Sequence, residues 1–151
     1  MLIDRLFDND GAGVFGFQTF FDELGSFLGL ARVNQKGSVA DKIEQIQHDI
    51  VLVSAHIAGG AAFDYAGVAG NYEVVIDSLT PVVDMPDRIV VSGGNESAAY
   101  IDVCRAVTRR CERRAVSFVN KCGFDGSLIV YLNRLSDYLF MLELFVQKTQ
   151  K

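Results

Sequence analysis

Apolar residues recur every three to four positions along most of this chain, the period of helices with one buried face. The first such stretch covers about 15–32, where Phe17, Phe20, Phe21, Leu24, Phe27 and Leu28 form a wide apolar face. Asn34-Gln35-Lys36-Gly37-Ser38 interrupts it, with Ser38 a suitable N-cap for the next helix. That second helix runs over about 39–57 with Ile43, Ile46, Ile50 and Val53 in register, and Ala58-Gly59-Gly60 ends it. A third is predicted over about 72–83, after Asn71 and before Pro86. Ile89-Val90-Val91 reads as extended linker, because one isolated strand has no sheet to join. Ser92-Gly93-Gly94-Asn95 is the clearest break, and Asn95 caps a long fourth helix over about 96–121. Gly123-Phe124-Asp125-Gly126 then turns the chain into a fifth, about 127–148, striped by Leu132, Leu135, Leu139 and Leu142. Five helices with short connections predict an all-α, antiparallel five-helix bundle.

Composition narrows the picture. The 151 residues suit one domain over 1–151, and 50% hydrophobic content excludes a disordered chain. The formal charge of -5 argues against nucleic acid as the expected partner. Cys104, Cys111 and Cys122 form no Cys-x-x-Cys pair and read as reduced thiols, which points to a cytoplasmic protein. The opening Met1-Leu2-Ile3-Asp4-Arg5 lacks a signal-peptide pattern, and no apolar run is long enough to span a membrane.

Against that acidic background, the fourth helix reverses the charge locally. Arg105, Arg109 and Arg113 are spaced by four and share one face, with Arg110 and Arg114 in a neighbouring row. Like charges at this spacing repel unless carboxylates or a bound anion compensate. Glu112 is placed to pair with Arg109, and Asp102 with Arg105. Two readings stand: a solvated face with local ion pairs, or a site for a polyanion such as a nucleoside triphosphate. The fifth helix carries Asn133, Arg134 and Asp137 among apolar residues. They serve either as polar pairing inside the bundle or at a subunit interface, or, through Asn133, as a ribose or adenine contact. His48 and His56 do not make a di-iron pattern with Glu44, since the Glu-x-x-His spacing is absent, so no metal site is assigned. Asp10-Gly11-Ala12-Gly13 offers backbone N–H groups to phosphate but lacks the Lys-Ser/Thr ending of a P-loop.

Arg105…Arg109-Arg110-Cys111-Glu112-Arg113 followed by Tyr131-Leu132-Asn133-Arg134-Leu135-Ser136-Asp137 resembles the signature of the PduO-type ATP:cob(I)alamin adenosyltransferases. Asp22-Glu23-Leu24 with Leu28-Gly29-Leu30-Ala31, and Ser92-Gly93-Gly94 with Ser97-Ala98-Ala99, are similar to further family segments, so the resemblance covers about 19–147. It implies a homotrimeric five-helix bundle with active sites between subunits. It implies transfer of the 5′-deoxyadenosyl group of ATP, bound with magnesium, to reduced cobalamin, with release of triphosphate. By the same resemblance Arg109, Arg110, Glu112, Arg113 and Asn133 contact ATP or its magnesium. Asp22 and Arg105 form an ion pair on the corrinoid side, and with Arg109 make the catalytic set. Ile89 stands where the family has an aromatic residue against the corrinoid, and Phe20 and Phe21 stand where the family is small and polar. The family's N-terminal Thr-Arg-Thr-Gly-Asp-x-Gly-x-Thr phosphate loop has no match in Leu6-Phe7-Asp8-Asn9-Asp10-Gly11-Ala12-Gly13. The expectation is therefore an adenosyltransferase with half of its triphosphate cradle absent or rebuilt. The alternative is a non-catalytic relative that binds a corrinoid, a nucleotide or another ligand at the trimer interface.

Overall fold

The structure, a computed structural model, describes residues 14–89, 91 and 93–150. The Gly-rich segment at 10–13 and the rest of the N-terminal stretch, together with Val90 and Ser92, lie outside the described residues. Among the described residues five helices follow one another: α1 (Val14–Val33), α2 (Gly37–Ile57), α3 (Tyr65–Leu79), α4 (Glu96–Cys122) and α5 (Ser127–Thr149). No strand occurs among the described residues. The expected five-helix bundle is the observed fold. The closest packing is α4 on α5, and α4 also packs on α1, α5 on α3, and α1 on α2. The arginine-bearing and asparagine-bearing helices are therefore direct neighbours at the centre of the assembly.

The core forms where the apolar stripes meet. Phe17, Phe21, Leu24 and Leu28 of α1 are fully buried against α4, whose contribution includes Ile101, Cys104, Cys111 and Phe118. The Phe17 and Phe118 rings stack at 4.8 Å, and Phe118 also meets Phe124 at 5.1 Å. Phe20 and Phe27 are only partly buried, at the edge of the same cluster. The three cysteines are buried and outside any disulfide, and burial pushes Cys104 and Cys111 up to about 12, which makes those two poor nucleophiles.

Two helix ends follow the sequence closely. The Asn95 side chain accepts from the Ala98 N–H at 2.7 Å, and its amide donates to the Gln150 carbonyl at 3.1 Å, tying the start of α4 to the end of α5. Asn95→Ala is expected to cost about 1 kcal/mol for the lost cap, read as a shift of the urea unfolding midpoint. Gly123 ends α4 in the left-handed region, at φ 64, where a side chain would be strained.

Two expectations are corrected. Ser38 is not the cap of α2: the helix begins at Gly37, preceded by an extended Lys36 with no side-chain cap. The third helix spans Tyr65–Leu79, not 72–83. Asp64 caps it by accepting from the Gly67 N–H at 3.1 Å, and burial of Tyr65, Ala69 and Tyr72 holds the first turns helical despite Gly67 and Gly70. Its C-terminus comes early because Pro81 has no N–H to extend the ladder. Inside the bundle, the Tyr72 hydroxyl donates to Asp49 Oδ2 at 2.6 Å and lies 3.2 Å from the Tyr131 hydroxyl. His56 Nδ1 meets the Tyr65 hydroxyl at 2.9 Å. The Asp49 and His56 bonds join α3 to α2, which do not pack closely along their lengths, and the Tyr131 contact ties α3 to α5.

Candidate functional site

The polar face of α4 meets that of α5 in one continuous hydrogen-bonded series. Arg109 Nη1 donates to both Glu112 oxygens, at 3.2 and 3.4 Å. Asn133 Nδ2 approaches the same two oxygens at 3.2 Å each. Arg134 Nη2 in turn donates to Asn133 Oδ1 at 2.7 Å and pairs with Asp137 Oδ2 at 3.2 Å. The spacing Arg109–Glu112 is a one-helix effect; Glu112–Asn133 exists only because α4 packs on α5. Glu112 is largely covered, whereas the Arg109 side chain is 48% exposed and faces solvent beyond its partner.

Two cavities flank this series. One, about 460 Å³, is lined by Glu73, Glu112, Arg113, Val116, Asn133 and Arg134. The other, about 410 Å³, receives Arg88 from the connector, Asp102, Arg105 and Arg109 from α4, and Asp137 and Glu143 from α5. A cluster of guanidinium groups over carboxylates, open on both sides, can hold an anion larger than a single phosphate. Arg105 is held by Asp102, Nε to Oδ1, at 2.9 Å, and lies 4.0 Å from Glu143 Oε2.

Arg109, Glu112 and Asn133 are joined by hydrogen bonds, and Arg113 lines the same cavity as Glu112 and Asn133. Arg110 does not join them: it pairs with Glu23 of α1, and both it and Arg114 sit over the Phe20 ring, at 5.7 and 5.8 Å. Asp22 does not meet Arg105 within the chain. It lines a separate cavity of about 570 Å³ between α1 and α2, with Gln18, Gly25 and Gln47. Ile89 stands on the connector, 91% exposed. His48 lies 4.0 Å from Glu44, and no group of three His, Cys, Asp or Glu converges on a common point among the described residues.

Sequence reasoning passed over Glu143. It is 3% exposed, and burial first, then the Asp102 carboxyl beside it, raises its carboxyl to about 7, opposed by Arg105. The signal was available: Ser136, Phe140 and Glu143 fall on one helical face, with a carboxylate set into the apolar run that closes α5. Because its folded value lies above the ordinary 4.5, the folded state holds this proton more tightly than the unfolded chain. Stability from Glu143 is therefore full below about pH 4.5 and is lost as pH rises through 7. Between pH 4.5 and 8 the protein should lose on the order of 2–3 kcal/mol relative to Glu143→Gln, measured by urea unfolding at each pH.

The chain is thus a five-helix bundle with arginines and a carboxylate on one central helix and an Asn-Arg-Asp set on its neighbour. The family model described as cobalamin adenosyltransferase matches residues 14–146, and the chain belongs to that family. It is 30% identical over 142 residues to a corrinoid adenosyltransferase of Bacillus subtilis, covering 88% of this chain and 73% of the relative. It is 34% identical over 134 residues to the human corrinoid adenosyltransferase MMAB, covering 80% of this chain and 54% of that protein, so it spans about half the human relative's length. A solved variant of a PduO-type ATP:corrinoid adenosyltransferase from Lactobacillus reuteri, complexed with cobalamin and ATP, superposes with a TM-score of 0.83 at 24% identity, over 94% of this chain and 83% of that one. No helix among the described residues is long and apolar enough to cross a membrane.

Proposed function

We propose that this protein is a corrinoid adenosyltransferase, transferring the 5′-deoxyadenosyl group of ATP to reduced cobalamin and releasing triphosphate. The observation that carries this reading is the Arg109–Glu112–Asn133 series across α4 and α5, formed by the residues of the family signature. In this reaction the reduced cobalt supplies an electron pair to C5′, the cobalt–carbon bond forms, and the C5′–O bond breaks toward the triphosphate. The metal of the corrinoid is already the nucleophile, so the protein's tasks are alignment and stabilisation of the leaving group. Arg109 and Arg113 are placed to offset the charge that builds on the triphosphate. Glu112, one carboxylate between arginines, suits magnesium held mainly by phosphate oxygens and water. Magnesium, when bound with ATP, neutralises part of the triphosphate charge. Asn133, anchored on Glu112 and Arg134, is positioned toward the nucleoside.

Asp22 and Arg105 line different cavities of one chain, so their pairing on the corrinoid side requires a neighbouring copy, which supports a homotrimer with sites between subunits. The exposed Ile89 belongs to the same corrinoid side. The reading also places the protein in the cytoplasm, where thiols stay reduced. The test is an anaerobic assay with reduced cobalamin and ATP, following adenosylcobalamin by absorbance. Product formation that depends on ATP is the expected result. A corrinoid absorbance shift with no product and no ATP binding by calorimetry would instead assign the non-catalytic role, a reading favoured by Ile89 at the position of the family's aromatic residue.

A further inference from the structure

Beneath Arg105, the 410 Å³ cavity has a floor that the reaction above does not call on. Glu143 is only 3% exposed, and its Oε2 has no hydrogen-bond donor to accept from. Its neighbours there are the Asp102 carboxyl, within hydrogen-bonding reach, and the Arg105 guanidinium, whose Nε is 4.0 Å from Oε2. Arg105 Nε is already committed to Asp102 Oδ1 at 2.9 Å. Two carboxyl groups thus face one guanidinium, and the inner one, Glu143, is shut off from solvent. Two ionised carboxylates this close repel, and one shared proton relieves the repulsion.

We propose that Glu143 is a positioning residue: together with Asp102 it fixes the guanidinium of Arg105 in the cavity, and so sets the surface that the corrinoid-side ligand meets. This rests on the functional reading above. With Glu143 protonated, its hydroxyl donates to Asp102 and Arg105 stays on Asp102 alone. With Glu143 ionised, Arg105 is shared between two carboxylates and is drawn deeper, away from the cavity mouth. The other charged groups facing the pair are Arg109 on α4, Asp137 on α5 and Arg88 on the connector, all lining the same cavity. From α3, Ile76 and Leu79 pack against the Met141–Leu144 side of α5. The raised carboxyl of Glu143 places the change near neutral pH.

The test reads Arg105 directly. The Arg105 Nε–H resonance, assigned by its loss in Arg105→Lys, is followed by ¹⁵N NMR from pH 5.5 to 8.5 in the assembled protein without ligand. The expected result is a titration with a midpoint near the Glu143 value that disappears in Glu143→Gln. A flat Arg105 resonance in the unmodified protein overturns the inference, and this measurement needs no variant to fold. So does a titration that persists unchanged in Glu143→Gln. In turnover, Glu143→Ala should raise KM for the corrinoid several-fold with KM for ATP unchanged, and Glu143→Gln should restore it below neutral pH. Equal KM values in all three proteins count against the inference. If the resonance follows Glu143 while no corrinoid is adenosylated, the positioning role stands and the functional reading fails.

Discussion

Arg109→Ala should abolish detectable binding of ATP with magnesium by calorimetry and lower adenosyl transfer by about 10²–10³-fold, the loss typical of one group that stabilises developing charge. Three features single out this arginine. Its guanidinium is oriented by both oxygens of Glu112, so the entropy of holding it in place is partly lost before any ligand arrives. Roughly half of its side chain remains exposed, so it can reach a ligand without leaving that partner. It lines the cavity of Arg105 and adjoins the one lined by Arg113 and Asn133 through Glu112, so it stands where a triphosphate and the corrinoid side would meet. Arg110→Ala is the informative contrast. Its ion pair to Glu23 and its place over Phe20 make it a tie between α4 and α1, and its loss should lower stability more than affinity. Retained ATP affinity in Arg109→Ala would remove the Arg109–Glu112–Asn133 series from the binding site.

Phe118→Ala should destabilise the protein by about 3–5 kcal/mol and lower its thermal midpoint by roughly 10–15 °C, followed by circular dichroism. Phe118 is 1% exposed and stacks on Phe17 of α1 at 4.8 Å with the planes 20° apart. Its other face meets Phe124, in the turn that joins α4 to α5. Truncation therefore opens a cavity where three segments converge, and the flanking rings have no free volume from which to fill it. The effect falls on the α1–α4 contact and on the α4–α5 turn together. A loss below about 1 kcal/mol would mean that this corner repacks, contrary to the dense aromatic contacts it shows.

Much of the fold was legible in the chain because the relevant signals are local. The 3.6-residue apolar stripes located five helices, Asn95 capped α4, and Gly123 ended it, each an effect within one turn of backbone. The missed start of α3 shows the limit. The start was expected after Asn71, but the helix begins at Tyr65, where burial of Tyr65 and Tyr72 beside Tyr131 of α5 outweighs the cost of Gly67 and Gly70 in a helix. The site divides in the same way. Arg105 with Asp102 and Arg109 with Glu112 are pairs three residues apart on one helix, visible from spacing alone. The pairs that packing alone creates join residues far apart in the chain: Glu112 with Asn133 within the site at a separation of 21, and Arg110 with Glu23 outside it at 87.

The sequence by itself determined the number and approximate extent of the helices, the family signature on α4 and α5, and the excess of arginine on one helix of an acidic chain. Only the tertiary structure decided that Arg110 turns to α1 while Arg109 and Arg113 stay with Asn133, that Asp22 and Arg105 line separate cavities, and that Glu143 lies buried under Arg105. Periodicity and capping depend on neighbours within a turn or two. The partner that each charged side chain finds depends on how each helix is rotated about its axis in the packed bundle, and that rotation follows from interdigitation of all the apolar faces at once.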